Sequence, residues 1–165
     1  MKNIVIILAV IIAFGVAWQQ RPRDKAAPAV ASNPVYAETR VTMDAGSTTI
    51  EGVMLGQALD DADCRKQLRV IEAEMSATSE RVCPTCKITT STCKTDLVPR
   101  YAKLFDNEPT HLSYISLARG TPDEREYRMI YWGLTVQQSE QLCSIVPHLQ
   151  KKRAGTVRCV HAASL

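Results

Sequence analysis

Six cysteines and three histidines are the residues of this 165-residue chain whose types and spacing invite chemistry beyond carboxylates and hydroxyls. Cys83-Pro84-Thr85-Cys86 has the C-x-x-C spacing of thiol–disulfide exchange, with Cys83 as the nucleophile and Cys86 as its partner. Such a thiol is activated when the motif follows a buried strand and opens a helix, whose N-terminus lowers the thiol pKa. Here a helical segment ends before the motif and Lys87–Thr92 is β-prone, so that context is missing. Cys143, His148, Cys159 and His161 have the ligand types of a Cys2His2 zinc set, and Cys83, Cys86 and Cys93 those of a partial one. Neither has a spacing diagnostic of a finger, so we assign no metal, no cofactor and no catalytic residue. His111 opens a strand without a catalytic partner. No G-x-S-x-G, paired acidic motif or glycine-rich phosphate loop occurs, so serine, carboxylate and phosphoryl chemistry lack support. The remaining use of the cysteines is structural: disulfides.

Which sulfurs pair depends on the elements that carry them. Thr48–Leu55 is β-branched and apolar and ends at Gly56, which predicts a strand. Asp60 then caps a helix with Asp61 and Asp63 in its first turn. Cys64, Leu68, Ile71 and Met75 form its buried stripe. Cys83–Cys86 is a turn, and Lys87–Cys93 is a polar, β-rich edge strand. Asp96 is the expected cap of a short helix with Pro99 in its first turn and Tyr101, Leu104 and Phe105 on its apolar side; Asn107-Glu108-Pro109 ends it. Residues 111–118 and 126–134 read as two strands of a hairpin around Arg119–Asp123. A rival helix stays open, because Thr121–Glu124 is a capping box and Tyr127, Ile130, Tyr131 and Leu134 have helical spacing. Thr135 with Gln138 opens the next helix, with Leu142, Val146 and Leu149 buried and Pro147 kinking or splitting it. Lys151–Arg153 suit its C-terminal dipole, Gly155 its C′ position, and Thr156–Val160 is the closing strand.

These elements contain two β-α-β units, which predicts an α+β fold, a ferredoxin-like antiparallel or mixed sheet over residues 48–162 with the helices on one face. Cys64 and Cys143 sit on the two helices, Cys93 and Cys159 on the strands that follow. Pairing Cys64 with Cys93 and Cys143 with Cys159 staples each helix to its own strand and leaves Cys83–Cys86 as a local bridge, one of fifteen possible connectivities. The first two close loops of 29 and 16 positions, each worth about 3–4 kcal/mol in the chain-entropy description. On the strand 126–134, Ile130, Trp132 and Leu134 are the expected core row. Tyr127 and Tyr131, on the opposite row, are the candidate binding surface, since exposed aromatics stack on sugars or partner chains.

Charge and hydropathy divide the chain. Lys2, Arg21, Arg23 and Lys25 against Asp24 account for the whole net charge of +3, which leaves 16 basic and 16 acidic residues from position 26 onward. A neutral domain offers no excess of cations for phosphate, so nucleic acid is not an expected partner. Ile4–Trp18 contains no polar side chain, and with Asn3, Gln19 and Gln20 can span a bilayer while Lys2 and Arg21 snorkel. We read residues 1–21 as an N-terminal single-pass anchor contacting the membrane through residues 4–20; a cleaved signal peptide is the alternative. Residues 22–47 read as an Ala/Pro-rich linker. The basic residues after the span slightly favour a cytoplasmic C-terminus by the positive-inside bias, whereas paired cysteines and an extended tether favour the periplasm. We expect an inner-membrane protein with its domain in the periplasm.

Tyr127–Gly133, then a helix with Leu142, Cys143 and Leu149, then Gly155-Thr156-Val157, resembles the second β-α-β half of a sporulation-related repeat (SPOR) domain over residues 127–160. That resemblance implies a small ferredoxin-like periplasmic domain on an anchor and linker, binding peptidoglycan glycan strands through its sheet face. The first half departs from the pattern through its 76–110 excursion and extra cysteines. The expected function is a membrane-tethered, non-enzymatic accessory domain of the bacterial cell envelope whose partner is an envelope protein or cell-wall glycan. The alternatives are a SPOR-like peptidoglycan-binding module and a periplasmic oxidoreductase using Cys83 and Cys86.

Overall fold

A computed structural model describes residues 33–44, 46, 48–79 and 83–163. The expected anchor, residues 1–21, and the first part of the expected linker lie outside the described residues. Among the described residues no helix is long and apolar enough to cross a membrane. The elements run β1 (Val35–Asp44), β2 (Thr49–Ala58), α1 (Asp61–Ser79), β3 (Lys87–Lys94), α2 (Pro99–Phe105), β4 (Tyr114–Leu117), β5 (Glu126–Trp132), α3 (Val136–Cys143), α4 (Val146–Gln150) and β6 (Val157–Val160). They build an α+β fold around one six-stranded sheet of order β3-β1-β2-β5-β4-β6 with antiparallel neighbours throughout.

Two β-α-β units are present, each split by a strand of its own hairpin. β2 and β3 both run antiparallel to β1, so they are parallel to each other, and α1 connects them. β5 and β6 flank β4 in the same way, connected by α3 and α4. The units therefore sit side by side and meet along β2–β5. The expected linker ends earlier than position 47, because Val35–Asp44 is a strand in the body of the sheet. Its alternation is clear once placed: Ala37, Thr39, Val41 and Met43 are buried on the face toward α1. Glu38 and Arg40 project from the other face, which the sequence shows only as a polar interruption.

Local rules placed most helix ends. The Asp63 amide donates to Asp60 Oδ1 at 2.8 Å, the expected cap of α1. Thr135 and Gln138 form the full capping box of α3. Pro147 ends continuity by splitting α3 from α4 rather than kinking one helix. The expected cap of α2 is corrected: Val98 occupies that position with no side-chain cap, and Asp96 accepts from Thr95 Oγ1 instead. The 111–134 segment is the hairpin and not the rival helix. Glu124 closes it, its carboxylate accepting from the Gly120, Ala154 and Gly155 amides at 2.7, 2.9 and 3.0 Å. Gly120 and Gly155 touch backbone to backbone there, so a Cβ at either position would overlap the other loop.

The crossover helices share one face. Ile71 and Met75 of α1 pack with Leu142 of α3, Leu149 of α4 and Ile145 between them over Val41, Met43, Ile50, Ile115, Tyr127, Met129 and Tyr131. The short helix α2 takes the opposite face, where Tyr101 and Leu104 cover Val53, Leu55, Tyr114 and Ile130. Arg128, 1 % exposed, ties that helix down. Its guanidinium donates to the C-terminal carbonyls of α2, Leu104 O at 2.7 Å and Phe105 O at 3.0 Å, and to Tyr127 O at 2.9 Å. It also lies 4.8 Å from the Phe105 ring centre.

Candidate functional site

All six cysteines are paired, Cys64–Cys93, Cys83–Cys86 and Cys143–Cys159, as helix-to-next-strand succession predicts. Cα separations of 6.1, 5.3 and 5.3 Å lie in the range a bridge needs. Cys83, the candidate nucleophile, is 1 % exposed and belongs with Cys86 to the main core. The chain leaves Cys86 directly into β3, so among the described residues no helix opens from the motif. Of the zinc-type residues, Cys143, Cys159 and His161 come together, with one ligand atom from each within 4.8 Å of the others. His148 is exposed on α4 and outside that group, and Cys93 is engaged with Cys64.

The expected aromatic surface is corrected. Tyr127 and Tyr131 are 1 % and 5 % exposed because their row of β5 faces α1, not solvent. Their rings lie over Gly56 and Gly52, their partners across the β2–β5 ladder. A Cβ at those glycines would come within 2.5 Å and 2.7 Å of the rings. Two glycines in a strand rich in apolar residues thus mark where two tyrosines lie flat. Tyr127 also hydrogen-bonds Gln67 of α1, and burial pushes its phenol well above its ordinary pKa. The opposite row is split: Ile130 is buried under α2, whereas Trp132 at its end is half-buried and Leu134 packs against the main core.

Trp132 borders the polar surface that the cysteine and aromatic patterns did not reveal. Across β3, β1 and β2, Lys94 Nζ donates to Glu38 Oε2 at 2.6 Å, and Arg40 Nε to Glu38 Oε1 at 2.7 Å. Arg40 Nη1 donates to Glu51 Oε1 at 2.8 Å, and Nη2 to the Tyr101 hydroxyl at 2.9 Å. Tyr101 also accepts from Arg100 Nη2 at 3.2 Å, the guanidinium of which lies 4.8 Å from its ring centre. Trp132 meets Tyr101 edge-on at 6.3 Å and is the strand partner of Glu51. Burial raises the Glu38 carboxyl, but hydrogen bonds from Lys94 and Arg40 outweigh it and hold the group below its ordinary range. Every arm of the Arg40 guanidinium is occupied, so the patch is a rigid platform of fixed charges beside an aromatic ring. The sequence signal was the alternating Glu38, Arg40, Thr42 of β1 and the Glu51 opposite, hidden while that stretch read as linker.

A second polar cluster joins the two units on the helix face. Asp63 accepts from Arg125 at 2.7 and 3.2 Å, from the Leu59 amide at 3.0 Å and from Gln67 Nε2 at 3.0 Å. Burial opposes its ionisation, yet the Arg125 hydrogen bond and its companions lower its pKa. Glu74, further along α1, has the reverse environment: its Oε2 is buried without a hydrogen-bond partner, and burial lifts its pKa from 4.5 to about 7. Folding therefore favours the protonated acid. Between pH 4.5 and about 7 the folded chain holds more of this proton than the unfolded one, so stability falls as pH rises through that window. Because the group is only half-buried, solvent screening reduces the effect to about 1–2 kcal/mol. Chemical denaturation from pH 5 to pH 8 is expected to show that decline, and Glu74→Gln to abolish it. An unchanged slope in the variant would remove Glu74 as the cause. Below this window Glu38 and Asp63, with their lowered pKa values, contribute stability that is lost as pH drops under their unfolded values of 4.5 and 3.8.

No family model, curated protein or solved structure matches the chain.

Proposed function

We propose that this chain is a non-enzymatic recognition domain of the cell envelope, tethered to the inner membrane by its N-terminal apolar segment and displayed in the periplasm. The observation that carries this reading is the complete pairing of its cysteines, since structural disulfides persist in oxidising compartments. The uninterrupted apolar run Ile4–Trp18 supports the tether. Among the described residues the surface best equipped for a ligand is the Trp132, Glu51, Arg40 and Lys94 patch beside α2. A half-buried indole edged by fixed donors and acceptors suits a saccharide ring, which stacks on the aromatic face and hydrogen-bonds around its rim. Cell-wall glycan is therefore the ligand we assign, in keeping with the SPOR-like resemblance, though on a patch sited beside α2.

Cosedimentation of the purified full chain with peptidoglycan sacculi tests this. Retention of the native protein is expected, with at least a fivefold loss on Trp132→Ala and near-native retention for a distant surface change such as Val136→Ala. Failure to cosediment, or retention indifferent to Trp132, overturns the glycan assignment. An envelope protein captured through the same patch would keep the recognition reading and replace the ligand.

A further inference from the structure

The corner where α3 meets β6 holds a second arrangement of donors that the recognition surface does not use. On α3, Glu140 and Cys143 are three residues apart and share a helix face. On β6 and just beyond it, Cys159 and His161 are two apart, so strand alternation sends both side chains to one side. Three of these four side chains converge, and Glu140 reaches them through His161. Cys143, Cys159 and His161 each present a ligand atom within 4.8 Å of the others, and His161 Nδ1 stands 3.5 Å from Glu140 Oε1. Sulfur, imidazole and carboxylate are the three ligand classes zinc accepts. Bond lengths of about 2.3 Å to sulfur and 2.0–2.1 Å to nitrogen or oxygen place tetrahedral donors about 3.3–3.8 Å apart, so once the bridge is reduced the sulfurs must part while the imidazole and the carboxylate behind it close in.

From this convergence we infer that Glu140, Cys143, Cys159 and His161 form a redox-gated zinc site: closed while Cys143 and Cys159 share a disulfide, opened when that bond is reduced. The opening step is thiol–disulfide exchange with a low-molecular-weight dithiol. One thiolate of the reductant attacks a cysteine sulfur, breaks the Cys143–Cys159 bond and expels the other cysteine as thiolate. The second reductant thiol then closes its own disulfide and releases the first cysteine. Two electrons pass from the dithiol to the protein. The two cysteine protons leave to solvent as Zn²⁺ takes both thiolates, the His161 imidazole and the Glu140 carboxylate. Access favours this bridge over the others. Cys143 and Cys159 are both partly exposed, whereas each other bridge has at least one buried sulfur: Cys64 is 0 % exposed beside a partly exposed Cys93, and Cys83 and Cys86 are 1 % and 8 % exposed.

The test uses the full chain in detergent micelles. After limited dithiothreitol treatment and anaerobic removal of the reductant, peptide mapping is expected to find two thiols, at Cys143 and Cys159. That material should bind one equivalent of Zn²⁺ in competition with a chromogenic chelator, and with Co²⁺ show thiolate charge-transfer and tetrahedral absorption bands. Untreated protein should bind none. His161→Ala, an exposed position that leaves the fold intact, and Glu140→Ala should each weaken zinc binding tenfold or more. Thiols mapping to another pair, no stoichiometric uptake after reduction, or native affinity in His161→Ala would each overturn the site.

Discussion

Replacing Arg128 with methionine is expected to lower the unfolding free energy by about 3–5 kcal/mol, the largest single-residue effect in the domain. The side chain is fully buried, and it is the donor for two terminal carbonyls of α2 and for the Tyr127 carbonyl. Methionine fills much of the volume but leaves those acceptors without a partner in an interior that water does not reach. Lysine at this position should recover only part of the loss, because a single ammonium cannot reproduce the planar fork. Since Arg128 anchors α2 and α2 covers the inner edge of Trp132 through Tyr101, the same variant should shift Trp132 emission to the red before global unfolding. A Trp18→Phe background makes Trp132 the sole indole reporter. Urea denaturation with an unchanged slope and a midpoint within experimental error of the parent would show that the carbonyls are satisfied otherwise.

The second large effect comes from the disulfides, which should separate into a graded series. Chain-entropy reasoning assigns about 3.6 kcal/mol to the bridge spanning 29 positions, about 3 kcal/mol to that spanning 16 and about 1.6 kcal/mol to that spanning 3. Cys64→Ala with Cys93→Ala should therefore be the most damaging pair, the more so because Cys64 is 0 % exposed and packs with Ala37, Ala58 and Leu68. Calorimetry or urea unfolding of the three paired variants checks the order. Equal losses across the series would mean that local packing, and not restriction of the unfolded chain, dominates. Neither outcome touches the zinc inference, which concerns metal uptake after reduction.

How much of this was legible beforehand follows the range of the interactions involved. Asp60, Thr135 with Gln138, and Pro147 act within one turn of their own positions, and each did what its side chain dictates. Asp96 is the local exception: two residues before the N-cap position, it is too early to reach the amides it was expected to satisfy. Glu124 had a sensible local partner in a capping box and instead accepts from amides across a loop thirty positions away. Glu38 and Arg40 show the same limitation. Two opposite charges among small residues resemble a solvated tether, and become strand-compatible only when Lys94, Glu51 and Tyr101 arrive from three other elements.

By itself, then, the order of residues determined the caps of α1 and α3, the strand–helix successions and, through them, which cysteines meet, because a bridge joining a helix to its next strand needs only neighbouring elements. Tertiary structure alone decided that the tyrosine row of β5 lies under α1 while Trp132 borders open surface, that Val35–Asp44 joins the sheet, and that Arg128 secures α2. The physical reason is that both faces of a strand alternate equally well in sequence. Which one loses its water is settled only by the layer that docks against it.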